Sequence, residues 1–201
     1  MLIDLSVLLN EKTPVYPGDP ETKIKEAGIL GKENYRDHYV CVGTHVGTHM
    51  DAPSHMADDG ANLDAIPLER FTGRGIYIKV GKSFDLAEVQ KADIRTGDIV
   101  FFHTGMSDHY HEKAYYENYP AISEDIANYL VEKKVKIVGV DMCSVDHEPF
   151  PVHRILLGVG VLIIENLTNL GVLSGKEFRI HAYPVKLELD GAPVRVVAEI
   201  Q

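Results

Sequence analysis

The segment Thr44–His55, with the sequence THVGTHMDAPSH, constrains this chain more than any other part of its sequence. Three of the ten histidines and one carboxylate lie within eleven residues: His45, His49, His55 and Asp51. Imidazole and carboxylate without a thiolate suit Zn or Mn, and less often Fe. The alternative is a histidine-rich polar loop, which seldom also carries an aspartate on the same face and an intervening glycine. The segment therefore predicts a metal site.

The spacing of these residues brings the ligands together in two backbone conformations. In an extended segment alternate side chains share a face, so the two histidines and Asp51 point the same way. Gly47, between His45 and His49 on that face, leaves room for an ion. A helix would also bring the histidines together at i, i+4 spacing. Gly47 and Pro53 disfavour a regular helix here.

Length and charge limit the protein class. A chain of 201 residues fits one domain spanning residues 1–201. The net charge of −10 argues against binding to nucleic acid or to anionic membranes, which leaves a small molecule as the expected partner. The start, Met1–Ser6, lacks a basic region followed by an apolar run, so we expect a cytoplasmic protein. Two cysteines, Cys41 and Cys143, are too few for a disulfide framework.

Hydrophobic patterns predict alternating strands and helices. We expect strands at Ile76–Val80, Ile99–Phe102 and Val135–Val140, a short helix over residues 85–92, and a helix at Ser123–Lys134. Ser123 can cap that last helix, acidic residues follow at its start, and lysines lie at its end. The fold class is α/β, a single domain with a mixed, strand-rich sheet and helices.

The last quarter of the chain adds an acidic residue and a hairpin. The apolar run Gly158–Ile164 ends at Glu165, a carboxylate that is costly to bury unless it is paired or binds a metal. Exposure at the strand end is the alternative for Glu165. Residues Ala182–Ile200 predict two strands joined at Leu189–Ala192, because Asp-Gly between apolar runs favours a hairpin.

Catalytic metal chemistry needs an open coordination position. One tetrahedral catalytic ion takes three protein ligands and a water, which His45, His49 and Asp51 can satisfy alone. His153 and Glu165 can add two more ligands, and a two-metal centre bridged by Asp51 would use all five. An isolated histidine such as His153 can instead have a structural role.

His55 lies close to the predicted ligands without being an obvious ligand itself. A divalent ion lowers the pKa of a coordinated water from 15.7 to about 7 and polarises a carbonyl group. A neighbouring group must then carry a proton to the leaving group, and we assign this general acid/base role to His55. The alternative is a partner that orients a ligand.

Other polar residues give weaker predictions. Cys41 has the same spacing as the motif histidines, which leaves a thiolate-containing site as an alternative. His103 can line a pocket, although a core or turn role is favoured, and we expect turn roles for Asp141 and Asp146. The remaining histidines carry no spacing argument or lie in a polar loop: His38, His109, His111, His147 and His181.

The chain resembles the cyclase-like metal-dependent hydrolases, which include bacterial kynurenine formamidase and isatin hydrolase. The hallmark of that family, His-x-Gly-Thr-His-x-Asp-x-Pro-x-His, is complete from His45 to His55. The resemblance extends in the same order to Pro14–Asp19, Gly97–Val100, Thr104–Gly105, Gly139–Asp141, Ser144–Asp146, His153–Leu157 and Glu165–Leu167.

The resemblance implies a site, a fold and an assembly. It implies that His45, His49 and Asp51 bind one metal ion, that Asp51 bridges to a second, and that His153 and Glu165 complete the pair. Zn is the expected ion, with Mn as the alternative, and His55 matches the family's proton carrier. The implied fold is the swivelling β/β/α architecture, and the implied assembly is a homodimer or homotetramer.

The resemblance leaves the substrate open. In kynurenine formamidases an aromatic residue in the Pro-Val-x-Pro-Gly-Asp loop, often Trp, contacts the substrate; here it is Tyr16, and the chain has no Trp. The first hypothesis is a hydrolase that cleaves a C–N bond in a small aromatic amide, with a role in tryptophan catabolism if the substrate is a formamide. The second is hydrolysis of a cyclic amide or lactone, or a cyclisation or dehydration. The third is a structural metal-binding oligomer, against which His55 argues because a structural site is closed.

Overall fold

Apolar runs of the sequence form four parallel strands at the centre of the molecule. The computed structural model describes residues 1–81 and 83–201. The parallel strands are β5 (Thr72–Lys79), β6 (Ile99–His103), β7 (Ile137–Val140) and β8 (Leu162–Glu165). β6, β7 and β8 are buried along almost their whole length, as continuous apolar strands covered on both faces are.

The remaining strands of the main sheet are antiparallel to their neighbours. They are β1 (Leu2–Asp4), β4 (His49–Asp51), β9 (Phe178–Pro184) and β10 (Gly191–Ile200). The order of the 8-stranded sheet is β1-β10-β4-β8-β7-β6-β5-β9, and β9 also pairs with β10, so the sheet closes on itself. The prediction of an α/β fold with a mixed, strand-rich sheet is confirmed.

Alternation along the strands divides the core in two. Ile99 and Phe101 belong to the cluster enclosed by the sheet, whereas Val100 and Phe102 belong to the cluster beneath the helices. This division follows from the period of two in a strand. The sheet therefore lies between two apolar clusters.

Four α-helices occur in the described residues: α1 (Leu86–Gln90), α2 (Ala114–Glu117), α3 (Glu124–Glu132) and α4 (Pro151–Leu157). The predicted helix over 123–134 is confirmed as α3, and the Ser123 side chain accepts a hydrogen bond from the Ile126 amide as its N-cap. The predicted helix over 85–92 is confirmed as the shorter α1. Within residues 1–81 and 83–201, none of these helices has the length and apolar character needed to span a membrane.

A hairpin made of β2 (Lys23–Gly28) and β3 (Asp37–Cys41) forms a separate two-stranded sheet. Every side chain of β3 is exposed, including Tyr39 and Val40. The alternative metal site that used Cys41 is therefore wrong, because this residue is exposed on the hairpin and does not line the cavity that holds the motif histidines.

Two local predictions need correction. Only His49–Asp51 of the motif forms a strand, while residues 44–48 form a turn in which Gly47 has a φ of 65°. The final hairpin exists, but its loop spans residues 185–190 instead of a two-residue Asp-Gly turn. Gly191 already pairs with Asp51 of β4, so Asp190 is placed beside the motif.

Candidate metal centre and active site

The five predicted ligands line one cavity of about 250 Å³. β4 and β8 pair so that His49 lies opposite Glu165, the last residue of its strand. Asp51 follows two residues after His49 and shares its face. His45 lies in the turn before β4, and His153 lies on α4. The fold thus brings together residues separated by more than a hundred positions.

Asp51 lies at the centre of this cluster. Its Oδ1 is 2.8 Å from Nδ1 of His45 and 3.4 Å from Nε2 of His49. Nε2 of His153 lies 3.9 Å from Oδ2 of Asp51 and 3.3 Å from Oε1 of Glu165. Two groups of potential ligands therefore share this aspartate: His45, His49 and Asp51 in one, and Asp51, His153 and Glu165 in the other.

The donor set fits a divalent metal ion. Ligand atoms at about 2.0–2.2 Å from a tetrahedral ion lie roughly 3.3–3.6 Å from each other, and three of the separations in this cluster are 3.3–3.4 Å. Oδ2 of Asp51 is buried and has no hydrogen-bond partner among the described residues. An orphaned carboxylate oxygen is costly unless a cation satisfies it. These features fit the implied divalent ion.

Hydrogen bonds to Nδ1 of His49 and His153 orient both rings so that Nε2 points into the cluster. Nδ1 of His49 donates to the carbonyl oxygen of Gly47 at 2.9 Å, and Nδ1 of His153 donates to Oδ1 of Asp146 at 2.6 Å. Nε2 of both rings then faces the carboxylates. Metal-binding histidines are typically oriented in this way.

The positive φ of Gly47 allows its carbonyl oxygen to accept the hydrogen bond from Nδ1 of His49. It turns the backbone so that the carbonyl of this residue accepts both from His49 and from Nδ2 of Asn166 at 3.0 Å. Such a left-handed conformation costs other residues about 1 kcal/mol or more. The glycine therefore has a conformational role. The expectation that it leaves room for an ion is wrong, because a Cβ at this position would contact Val7, Leu9 and Thr13 instead of the ligands.

Charge pairing dominates the electrostatics of the site. Burial lowers the pKa of His153, but the hydrogen bonds from this ring to Asp146 and Glu165 outweigh that effect and raise the pKa to about 10. Burial likewise opposes charge on His45, yet Asp51 raises its pKa to about 9. Burial raises the pKa of both Asp51 and Glu165, and the neighbouring imidazoles reverse this, leaving each pKa below its ordinary value.

His55 lies at the mouth of the cluster, at the end of a short 3-10 helix, Pro53–His55. Its ring centroid is 4.1 Å from that of His45 and 6.0 Å from that of His153. It belongs to neither of the two groups that share Asp51. Its Nδ1 instead contacts Oδ2 of Asp190 at 3.1 Å.

Two aspartates that we expected in turns reach the site. Asp146 is buried and accepts from the Val152 amide as well as from His153, so it fixes both the start of α4 and the ligand that α4 presents. Asp190 accepts from His45 and His55. Neither residue stood in a recognisable spacing with the ligands, because both contacts form only when distant segments pack together.

The remaining polar residues have other contacts. Asp141 has a structural role, but not in its own turn: it accepts from the amides of Thr104 and Gly105, in the loop that follows β6. His103 contacts the Tyr77 hydroxyl at 2.8 Å and is not among the residues that line the cavity. Cys143 does line the cavity, but burial raises the pKa of its thiol, which keeps it protonated.

Aromatic side chains line the same cavity as the ligands and form what we call its aromatic wall. Tyr16 and Tyr116 line the cavity with ring centroids 6.2 Å apart in an edge-to-face arrangement, and Phe150 lies beside His153. The sequence singled out Tyr16 for such a position. Tyr116 and Phe150 carried no signal in the sequence.

Comparison with known proteins identifies a family model and relatives that match this chain. The family model Cyclase, described as "Putative cyclase", matches residues 3–147. Kynurenine formamidase of Geobacillus thermodenitrificans is 31% identical over 202 residues, which cover 96% of this chain and 94% of the relative.

Two solved structures have the same fold. One, described as a "Potential Metal-Dependent Hydrolase With Cyclase Activity", is 32% identical with a TM-score of 0.81 and covers 98% of this chain and 96% of its own. Isatin hydrolase A from Labrenzia aggregata, bound to benzyl benzoate, is 24% identical with a TM-score of 0.88, covering 98% and 93%. Together with the match of the family model, these similarities lead to one conclusion: the chain belongs to the cyclase family.

Proposed function

We propose that this protein is a metal-dependent hydrolase that cleaves the C–N bond of a small aromatic amide or formamide. In this proposal His45, His49, Asp51, His153 and Glu165 hold two divalent ions, with Zn preferred over Mn. His55 is the general acid/base, and Tyr16 contacts the substrate. The relatives support the hydrolase class, since they include a protein named kynurenine formamidase and one described as a metal-dependent hydrolase.

The observation that carries the proposal is the shared position of Asp51. Its carboxylate lies in both ligand groups, and one of its oxygens is buried without a partner in the described part of the chain. A bound divalent ion would supply an activated water and polarise the substrate carbonyl. The five ligand side chains would hold the ions that supply this chemistry.

His55 has the position required of a proton carrier. Its side chain is 26% exposed, whereas those of His49 and His153 are at most 5% exposed. It therefore remains accessible from the cavity beside the ligands. From there the imidazole can take a proton from the attacking water and return it to the leaving amine.

The composition of the wall supports an aromatic substrate. Tyr16, Tyr116 and Phe150 present ring faces and edges, and Met56 and Pro14 add apolar surface. Aromatic rings pack favourably against such walls in offset or edge-to-face arrangements. The proposed ligands line the same cavity, so an aromatic ring held against these side chains would place its amide near them.

A second candidate is the opening of a cyclic amide or lactone, or the reverse cyclisation or a dehydration. It is favoured by the description of one relative, 32% identical, as having cyclase activity. The same residues would serve the ring opening, which also begins with an activated water and a polarised carbonyl, and the reverse cyclisation or a dehydration, which would release water at the same site.

The two candidates are separated by an assay of the protein loaded with Zn or Mn. N-formylkynurenine, isatin and simple lactones are compared as substrates. We expect hydrolysis of the formamide, and failure on it would remove the leading substrate.

Substituting His55 by Ala should abolish turnover while bound metal stays near the wild-type level. Survival of activity, or parallel loss of metal, would contradict the role of His55.

The proposed assembly is a homodimer or homotetramer in the cytoplasm, with a small molecule as the only other partner. The exposed apolar side chains of the β2–β3 hairpin, such as Tyr39 and Val40, support an assembly that covers them. Light scattering of the purified protein measures the oligomer size, and a monomer at micromolar concentration would contradict this part of the proposal.

A further inference from the structure

We infer that Asp190 is a positioning residue that holds the imidazole of His55 and couples it to the ligand His45. This inference rests on the proposed function of His55. The carboxylate is presented by the loop between β9 and β10, and its Oδ2 lies 2.9 Å from Nε2 of His45 and 3.1 Å from Nδ1 of His55.

The chemistry of the acceptor determines the direction of both hydrogen bonds. An ionised carboxylate only accepts, so both ring nitrogens donate to it. Nδ1 of His55 therefore carries the hydrogen, and Nε2 of the neutral ring keeps its lone pair. This tautomer is the one needed for a base that acts through Nε2.

The same carboxylate orients the neighbouring ligand. Nε2 of His45 donates to Asp190, while Nδ1 of this ring faces Asp51 at 2.8 Å. A carboxylate that accepts from the outer nitrogen of a metal-binding histidine fixes its ring and raises its basicity. One oxygen of Asp190 thus joins a ligand to the proposed proton carrier.

The backbone around Asp190 is held firmly. Its carbonyl accepts from the Ala52 amide at 2.8 Å, and Leu189 accepts from the Leu63 amide at 3.1 Å. Gly191 permits the close approach, because a Cβ at this position would lie 2.8 Å from Cε1 of His45. The loop is therefore fixed at the residues that flank the carboxylate, as orientation of a catalytic group requires.

The first test is the tautomer of His55 in the Zn-loaded protein labelled with ¹⁵N-histidine, measured by NMR. We expect a protonated Nδ1 in the wild type and a loss or redistribution of that signal in Asp190→Ala. Glu188→Ala removes an exposed acidic side chain of the same loop and is the matched control, which should leave the signal unchanged. An unchanged His55 signal in Asp190→Ala would overturn the inference.

The second test separates positioning from a general structural effect. At saturating Zn, Asp190→Ala should lower kcat by about 10–100-fold with little change in KM, as loss of an orienting partner does. Glu188→Ala, on the same loop, should leave both kcat and KM near their wild-type values. An equal loss of kcat in the two variants, or a raised KM with unchanged kcat in Asp190→Ala, would overturn the inference.

Two further outcomes remain decisive. Asp190→Asn keeps the size of the side chain, removes its charge and should change kcat in the same direction by a smaller factor; it replaces the alanine variant if that fails to fold. If the wild type hydrolyses none of the substrates, the proposed function fails, while the NMR measurement still tests the bond between Asp190 and His55.

Discussion

The two halves of the candidate metal centre are held in different ways. His45, His49 and Asp51 come from one short segment, whose strand is paired on both edges with β8 and β10. His153 and Glu165 come from a helix and a strand end, and their side chains are 5% and 7% exposed. In the first half, the side chain of His45 is 22% exposed.

This difference in exposure predicts different roles for the two halves. Both halves line the same cavity. In the half with His153, which we call the closed half, both ligands unique to it are buried and the buried Asp146 pairs with His153. The other half, which we call the open half, contains the partly exposed ring of His45 beside His55. Substitutions in the closed half should therefore affect folding and metal binding together, while substitutions in the open half should affect mainly binding and turnover.

Removing the residue common to both halves should have the largest effect. We expect Asp51→Asn to lower metal affinity in both groups by more than about 100-fold, since even the loss of a partner that orients a ligand costs 10–100-fold. Elemental analysis after dialysis should find two ions per wild-type subunit under this proposal and fewer than one in the variant. Full metal content in Asp51→Asn would show that the halves do not share this carboxylate.

A comparison of His153→Ala with His45→Ala tests the closed half against the open half. Without metal, His153→Ala leaves Asp146 and Glu165 buried without their partner, which should cost about 3–5 kcal/mol of unfolding free energy. His45→Ala removes a partly exposed ring and should cost less, about 1–3 kcal/mol. Urea unfolding of the metal-free proteins at pH 7 measures both, and equal losses would contradict the proposed difference.

The partner of His153 offers a matched pair of substitutions. Asp146→Asn should weaken metal binding by about 10–100-fold, because the orienting bond from Nδ1 of the ring loses its charged acceptor. Asp141→Asn changes an equally buried aspartate that binds Thr104 and Gly105 and should leave metal affinity near the wild-type value. Calorimetric titration with Zn distinguishes them. A similar loss in both variants would indicate a general effect of burial.

The smallest effect is expected where β10 approaches the open half. Gly191→Ala places a methyl group against the His45 ring, so we expect the ring to shift and metal affinity to fall by roughly 10-fold or less. Gly31→Ala is the control, because a Cβ there meets no atom within 4 Å. Unchanged affinity in the Gly191 variant would mean that the ring of His45 adapts without cost.

Local patterns were sufficient for much of the fold. The helix at Glu124–Glu132 was predictable because its cap and apolar stripe lie within one segment. The parallel strands β6, β7 and β8 were predictable from continuous apolar runs. The length of the β9–β10 loop was not, because pairing of Gly191 with Asp51 competes with a tight Asp-Gly turn and is invisible in the local sequence.

The candidate site shows the same difference between what local sequence patterns predict and what long-range packing decides. The sequence by itself determined the donor types and the local cluster from His45 to Asp51. It also indicated His55, His153 and Glu165 as further site residues, which the family resemblance supported. Only the tertiary structure decided which carboxylates orient the imidazoles: Asp146 for His153, and Asp190 for His45 and His55. The physical reason is that a hydrogen bond depends on distance and direction within a few tenths of an ångström, which the packing of distant segments sets and residue spacing does not.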